Sequence, residues 1–423
     1  MKVTPLLALI ALVPVAGCAG SDQAASSATF AVAAPKDTPP GQAKGGATST
    51  SGPAPVSSPT PTPTPTPTPV AVSTPTPVPT PAASQSTTPV SAAEWIAMLK
   101  AATPGSTIDL GNRPVTFARY TGLSNVTIKG GVFGMIVLDH WKNVTFSGTQ
   151  FEPRNGDNPA GSLIIAYQPD GLHFDGVTFV GALNAAGQLG FASIGVRGGN
   201  NVSVTRSNFH DIGNYLSFLR TTNVQVTDNT FTNIREGLDL VGVANAVVAR
   251  NTFGPFRPAP GDHSDGIQLF TAGLTLATDH GAQNVLIEDN LVDPGAGYRA
   301  QGIFMRDEAA LAALGRGYSN ITIRNNAMIG TGWHGIAAMD PVQNLLIEGN
   351  RLLIRLGTDG VTDNWILIKS GGGTVRNNYA GSINLTAATV ASGNTSVKRA
   401  ATTTEISTAD TWVAQLMQAA AAQ

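Results

Sequence analysis

Through the middle of the chain, apolar residues alternate with polar ones inside short blocks, and the blocks themselves recur. Each block reads Asn-Val-x-Ile-x-x-Asn-x-Phe, with copies beginning at Asn125, Asn143, Gly171, Asn201, Asn223, Asn245, Asn284, Asn320, Asn344 and Gly372. A period of two is that of a β-strand, whose alternate side chains share a face; helical repeats would show a period near 3.6. The fourth position is apolar in every copy, from Ile128 and Phe146 to Ile347 and Val375. The ninth runs Phe133, Phe151, Phe179, Phe209, Phe231, Phe253 and then passes to smaller apolar residues. The seventh holds Asn229, Asn251, Asn290, Asn326, Asn350 and Asn378, which predicts an internal amide ladder at left-handed bends. The shortest interval is 22 residues, from Asn201 to Asn223 and again to Asn245, the length of one coil of a parallel solenoid. Between blocks a second strand of form Ile-x-Leu recurs nine times, from Ile136/Leu138 to Ile366/Ile368, predicting one continuous parallel sheet. The ends of a solenoid need covering. Ser91-Ala-Ala-Glu94 is a capping box that opens a helix bearing Trp95, Ile96, Met98 and Leu99, and Thr411 to Ala421 carries Trp412, Val413, Leu416 and Met417 at helical spacing.

Outside this region the composition changes. Residues 1–18 carry Lys2, an apolar stretch from Leu6 and small residues before a cysteine, the pattern of a signal peptide. Val15-Ala16-Gly17-Cys18 resembles a bacterial lipobox, which implies lipidation of Cys18, a membrane partner through that anchor, and cell-envelope localisation. Ala19 after the cysteine implies the outer membrane. Residues 19–89 are dominated by Pro, Thr, Ser, Ala and Gly and include the run Thr60–Pro69, a linker unable to build a core. The domains expected are therefore this signal, this linker, a β-helix over 90–400 and a C-terminal tail with a helix over 401–423. With 25 Lys and Arg against 27 Asp and Glu, and no basic run, nothing marks a nucleic-acid partner. The single cysteine excludes a disulfide framework within the chain. A monomer is expected.

The run LKAATPGSTIDL, then VTIKGG, then the Asn-Val repeats, resembles the pectin-lyase-like superfamily, over residues 92 to 398. The resemblance implies an all-β fold, a single-stranded right-handed parallel β-helix with N-terminal and C-terminal capping helices. It implies also a substrate groove on the outward face of one sheet, with polysaccharide lyases, uronan C5-epimerases, glycoside hydrolases and non-catalytic surface proteins among the members. The outward positions of the second strand include Gly195, Ser217, Asp239, Gln268 and Phe304; two residues on come Arg197, Leu219, Val241, Phe270, Arg306 and Lys369. Three residues before the first column lie Asn214, Glu236, Asp265, Gln301, His334 and Asn364 at the bend. The block spacing rises to 39 and 36 residues after Asn245 and Asn284, inserting loops beside the most polar coils.

The leading expectation is a lyase or C5-epimerase acting on an acidic polysaccharide. Such an enzyme needs a base for the C5 proton and a cation to neutralise the uronate. His263 is the candidate base and Arg306 the neutraliser, with Asp239 and Asp265 in the catalytic set. Gln268, His334, Lys369 and Arg197 are candidate substrate contacts. Glu236, Asp262 and Asp265 form a candidate oxygen set for Ca²⁺, to which Asp239 could add. Glu236, Gln301 and Asn364 could equally be solvated bend residues. Two alternatives remain open. A hydrolase like the polygalacturonases is suggested by His263-Ser-Asp-Gly-Ile-Gln268, Arg306-Asp-Glu308, Trp333-His-Gly335 and Ile368-Lys369, although Gln268 stands where that family has a second aspartate. The other is a non-catalytic lipoprotein that binds glycan or organises an exopolysaccharide.

Overall fold

The computed structural model describes residues 88–213, 216–331, 334–355 and 363–421. The expected signal peptide with Cys18, almost all of the linker, and Asn214 and Trp333 lie outside the described residues. Strands pair in parallel, coil upon coil, in a sheet of 22 strands formed by the repeat blocks and a second sheet of ten. The ten are the nine Ile-x-Leu strands of the sequence and one more, Ser382–Asn384.

The register is that of the repeat. Val204 stacks on Phe174 and on Val226, and Val226 on Val248, each fully buried. The phenylalanines form a continuous stack whose ring centroids are 4.7 Å apart from Phe179 to Phe209, 4.4 Å to Phe231 and 4.6 Å to Phe253. Such contacts add about 0.5–1.5 kcal/mol per pair beyond the area they bury. The buried asparagines bond along the solenoid: Asn229 Nδ2 donates to Asn251 Oδ1 at 2.9 Å, Asn251 to Asn290 at 2.9 Å, and Asn290 to Asn326 at 3.0 Å. The left-handed bend falls one residue earlier than expected, at Asp228, Arg250, Asp289, Asn325 and Asn377. The asparagine itself is then free to aim its amide at carbonyls within the core.

The asparagine that opens each block also has a physical cause. Asn223, Asn245, Asn284, Asn320 and Asn344 all sit at φ near +55°, and their amides bond rung to rung in a second, outer ladder. Asparagine tolerates the left-handed region better than other residues that carry a Cβ.

At the N-terminal end the helix Ala92–Ala101 covers the first coil. Ser91 Oγ accepts the Glu94 N–H at 3.2 Å, and Trp95 lies fully buried, edge-on to Phe133 at 5.4 Å. The C-terminal helix Thr403–Ala421 lies along the flank of the last coils, where Ala409 and Val413 pack on Leu291, Ala327, Ile329 and Leu353. Among the described residues, no helix is long and apolar enough to cross a membrane.

Candidate functional site

Four successive coils turn into the ten-stranded sheet with the same local sequence: Glu236-Gly-Leu-Asp-Leu240, Asp265-Gly-Ile-Gln-Leu269, Gln301-Gly-Ile-Phe-Met305 and His334-Gly-Ile-Ala-Ala338. The glycines bring the coils into close contact. A Cβ on Gly237 would stand 2.1 Å from the Gly266 carbonyl oxygen, and one on Gly302 2.2 Å from that of Gly335. The residues before these glycines consequently form one column. The Asp265 N–H donates to Glu236 Oε2 at 2.9 Å, Asp265 pairs in register with Gln301, and Gln301 Oε1 lies 2.7 Å from His334 Nδ1. Asn364, expected in the same column, turns inward: its amide donates to the Met328 and Leu353 carbonyls and its oxygen accepts from Thr331. It is structural.

The adjacent column, Ser217, Asp239, Gln268 and Phe304, is in register across four strands. The long excursions wall this sheet on both edges. On the far edge, Leu219, Val241 and Phe270 pack with Leu274 and Leu311 into a separate apolar cluster. Asp307 fastens that wall by accepting from Thr271 Oγ1 at 2.7 Å and from the Leu311 and Ala312 N–H groups. On the near edge, Asp262 is held by the Arg235 guanidinium, with Nη2 to Oδ1 at 2.7 Å, and by the Ala259 N–H. Ser217, Asp239 and Gln268 thus face outward from the sheet yet are almost wholly buried.

Burial governs the charge state of the carboxyls. It raises the Glu236 pKa well above the ordinary glutamate value, and the neighbouring Asp265 and Asp239 charges raise it further. Burial also raises Asp265, with the Asp239 charge adding to it. Burial raises Asp239 as well, but there the Arg197 guanidinium acts in opposition. Arg197 lies alongside Gly195 of its own strand, its Nη2 within ordinary van der Waals reach of where a Cβ would stand. Among the described residues, six buried side-chain polar atoms have no hydrogen-bond partner, and four of them are Arg197 Nη1, Ser217 Oγ, Ser264 Oγ and Asp265 Oδ1. Each such atom costs about 1–3 kcal/mol, so their concentration on neighbouring coils sets this stretch of the solenoid apart from the well-paired remainder.

The expected site residues divide. Asp239, Asp265, Glu236, Gln268 and Arg197 come together. His263 and Arg306 do not join them. His263 is exposed on the near wall, lining a cavity of about 450 Å³ with Tyr298 and Arg299. Arg306 is exposed one rung beyond Phe270, at the edge of the apolar cluster. The calcium set does not converge either. Asp262 spends its oxygens on Arg235 and Ala259, and among the described residues no group of three or more His, Cys, Asp or Glu is placed to hold a metal ion. His334 continues the site toward the C-terminus, between Phe304 at 5.8 Å and Trp365 at 5.4 Å. Burial, then the nearby Lys369 charge, lowers its pKa, so the imidazole is neutral at pH 7. Ser217, Ser264 and Trp365 were not foreseen as site residues. The recurring x-Gly-Ile/Leu step was the available signal for the column they adjoin.

A family model described as a right handed beta helix region matches residues 115–399. No curated protein matches the chain. Among solved structures, PfbA, a surface adhesin of Streptococcus pneumoniae, is 14% identical over 69% of this chain and 73% of its own, with a TM-score of 0.42. The tailspike of E. coli bacteriophage HK620 is 12% identical over 68% of this chain and 53% of its own, with a TM-score of 0.43. An alginate lyase is 12% identical over 74% and 86%, with a TM-score of 0.36. Matched by that model over more than half its length, and built coil by coil as described above, the chain belongs to the right-handed β-helix family.

Proposed function

We propose that this protein hydrolyses glycosidic bonds in an acidic polysaccharide lying along the ten-stranded sheet. The observation that carries the reading is the buried carboxyl set Glu236, Asp239 and Asp265 beside Arg197, with polar atoms left unpartnered on the same coils. Hydrolysis of a glycoside needs one carboxyl that keeps its proton at working pH and a second that is ionised. Asp265 suits the first task, because burial and the Asp239 charge hold its proton and its Oδ1 has no partner within the protein. Burial raises Asp239 too, but it is the carboxyl whose pKa Arg197 pulls back down, so of the three it is the one assigned the second task.

In the proposed reaction the Asp265 carboxyl gives its proton to the glycosidic oxygen as the bond to the anomeric carbon breaks. Asp239 either takes a proton from the water that attacks that carbon, or attacks it directly to form an ester. In the second case water, giving a proton to the now ionised Asp265, then cleaves the ester to free Asp239. Asp265 and Glu236, while protonated, do not repel an acidic sugar, and the Arg197 charge in the same cluster favours one. The lyase or epimerase reading asks for a base and a neutralising cation together. His263 and Arg306, the residues named for those tasks, stand on different walls of the sheet.

The test is a product screen. The full-length protein is incubated with polygalacturonate, alginate, glucuronoxylan and a neutral glucan while reducing ends, unsaturated sugars and deuterium uptake at C5 are followed. New reducing ends without unsaturation support hydrolysis. Unsaturated ends would replace it with a lyase, exchange without cleavage with an epimerase, and binding without turnover with a non-catalytic protein.

A further inference from the structure

The C-terminal helix touches the solenoid along one apolar strip, Ala409 and Val413 against Leu291, Ala327, Ile329 and Leu353. Beside that strip helix and sheet diverge, and the cleft between them has a volume of about 800 Å³, within the range of small-molecule sites. Its lining is chemically one-sided. The helix contributes Trp412, Gln415 and a row of hydroxyls that includes Thr404 and Ser407; the sheet contributes Asn325 and Arg351. Among the described residues, no carboxylate lines it.

Arg351 is the informative member. In the neighbouring column, across the bend, Arg324 pairs with Glu288 and Arg376 with Glu348, whereas Arg351 forms no ion pair among the described residues. Its guanidinium lies over the Tyr379 ring, 5.7 Å from the centroid, which orients it while leaving its charge unneutralised. An indole, a bank of hydroxyl and amide groups, and an oriented guanidinium without a counter-ion match a sugar that has an apolar ring face, several hydroxyls and an acidic group.

We infer that this flank cleft is a second glycan site, separate from the ten-stranded sheet, which takes a segment of an acidic oligosaccharide with its carboxylate on Arg351 and a sugar ring against Trp412. It does not depend on hydrolysis in the groove. It gives the protein a hold on a polymer that survives when the groove is empty.

The experiment is calorimetric titration of oligogalacturonate into full-length protein carrying Asp265→Asn, so that the probe is not consumed. Expected is a binding component that Arg351→Gln weakens about tenfold, that Arg351→Lys partly restores, and that Arg197→Gln leaves unchanged. The fully methyl-esterified probe should lose that component. Trp412→Phe, which keeps the apolar contact of the helix, should weaken it less than Arg351→Gln does. Separately, Arg351→Gln in the otherwise native chain should leave any cleavage activity intact. Isotherms that Arg351→Gln does not alter, equal binding of the esterified probe, or a single component abolished by Arg197→Gln would each overturn the inference.

Discussion

Replacing Asp265 with asparagine should make the protein more stable at neutral pH, although it removes a group from the site. Asp265 and Glu236 adjoin on successive coils; burial, and then neighbouring carboxylate charge, holds both above their ordinary pKa values, and burial alone does so for Asp239. In the unfolded chain these groups ionise near about 3.9 for aspartate and 4.3 for glutamate. Above those values the unfolded state releases protons that the folded state retains, so stability falls as pH rises. The loss is about 1.4 kcal/mol per pH unit for each retained proton, and it ends only when the folded group itself ionises. Asp265→Asn removes one such proton. The variant should match the wild type near pH ~4 and exceed it by at least about 1.4 kcal/mol at neutrality. Urea denaturation at a series of pH values gives both curves, and their difference cancels every other titrating group. Parallel curves for wild type and variant between about pH 4.5 and 7 would refute the buried, proton-holding cluster.

Two further outcomes test the scaffold and the bend that builds the site. Phe209→Ala, which breaks a stack of rings 4.7 and 4.4 Å from its neighbours, should lower unfolding free energy by about 3–5 kcal/mol in denaturant titration. Gly302→Ala places a Cβ 2.2 Å from the Gly335 carbonyl oxygen, so it should reduce thermal stability and displace Gln301 and His334 together. A Gly302→Ala protein with the native melting temperature would remove the reason given for glycine at this step.

The solenoid was legible in the sequence because a β-helix repeats its inward positions. The Ile128 to Val375 column, the phenylalanines and the buried asparagines each answer to one coil geometry, and all are found stacked. The site was legible only as columns. The alignment that placed Glu236, Asp265, Gln301 and His334 together holds, because strand register carries it. What it could not show is where loops and long side chains go. Asp262 pairs with Arg235, 27 residues away, through the fold of an irregular loop. Arg197 acts on the charge of Asp239 from two coils away, through the course of a long side chain that strand register does not specify. His263 drew notice by its closeness in sequence to two aspartates, and the loop turns it onto the wall. The C-terminal helix shows the same limit: its spacing declared an apolar face but not that the face would meet Leu291 and Leu353 on the flank.

The most direct test of the proposed function compares two pairs of variants on whichever acidic polysaccharide the wild type cleaves, following initial rates of reducing-end release. Asp239→Asn and Asp265→Asn should each lower kcat by about 10²–10⁴ while binding is kept, and His263→Ala and Arg306→Ala should stay close to wild type. Full activity in either asparagine variant, or loss of activity in the His263 and Arg306 variants instead, would place the chemistry outside the buried carboxyl cluster.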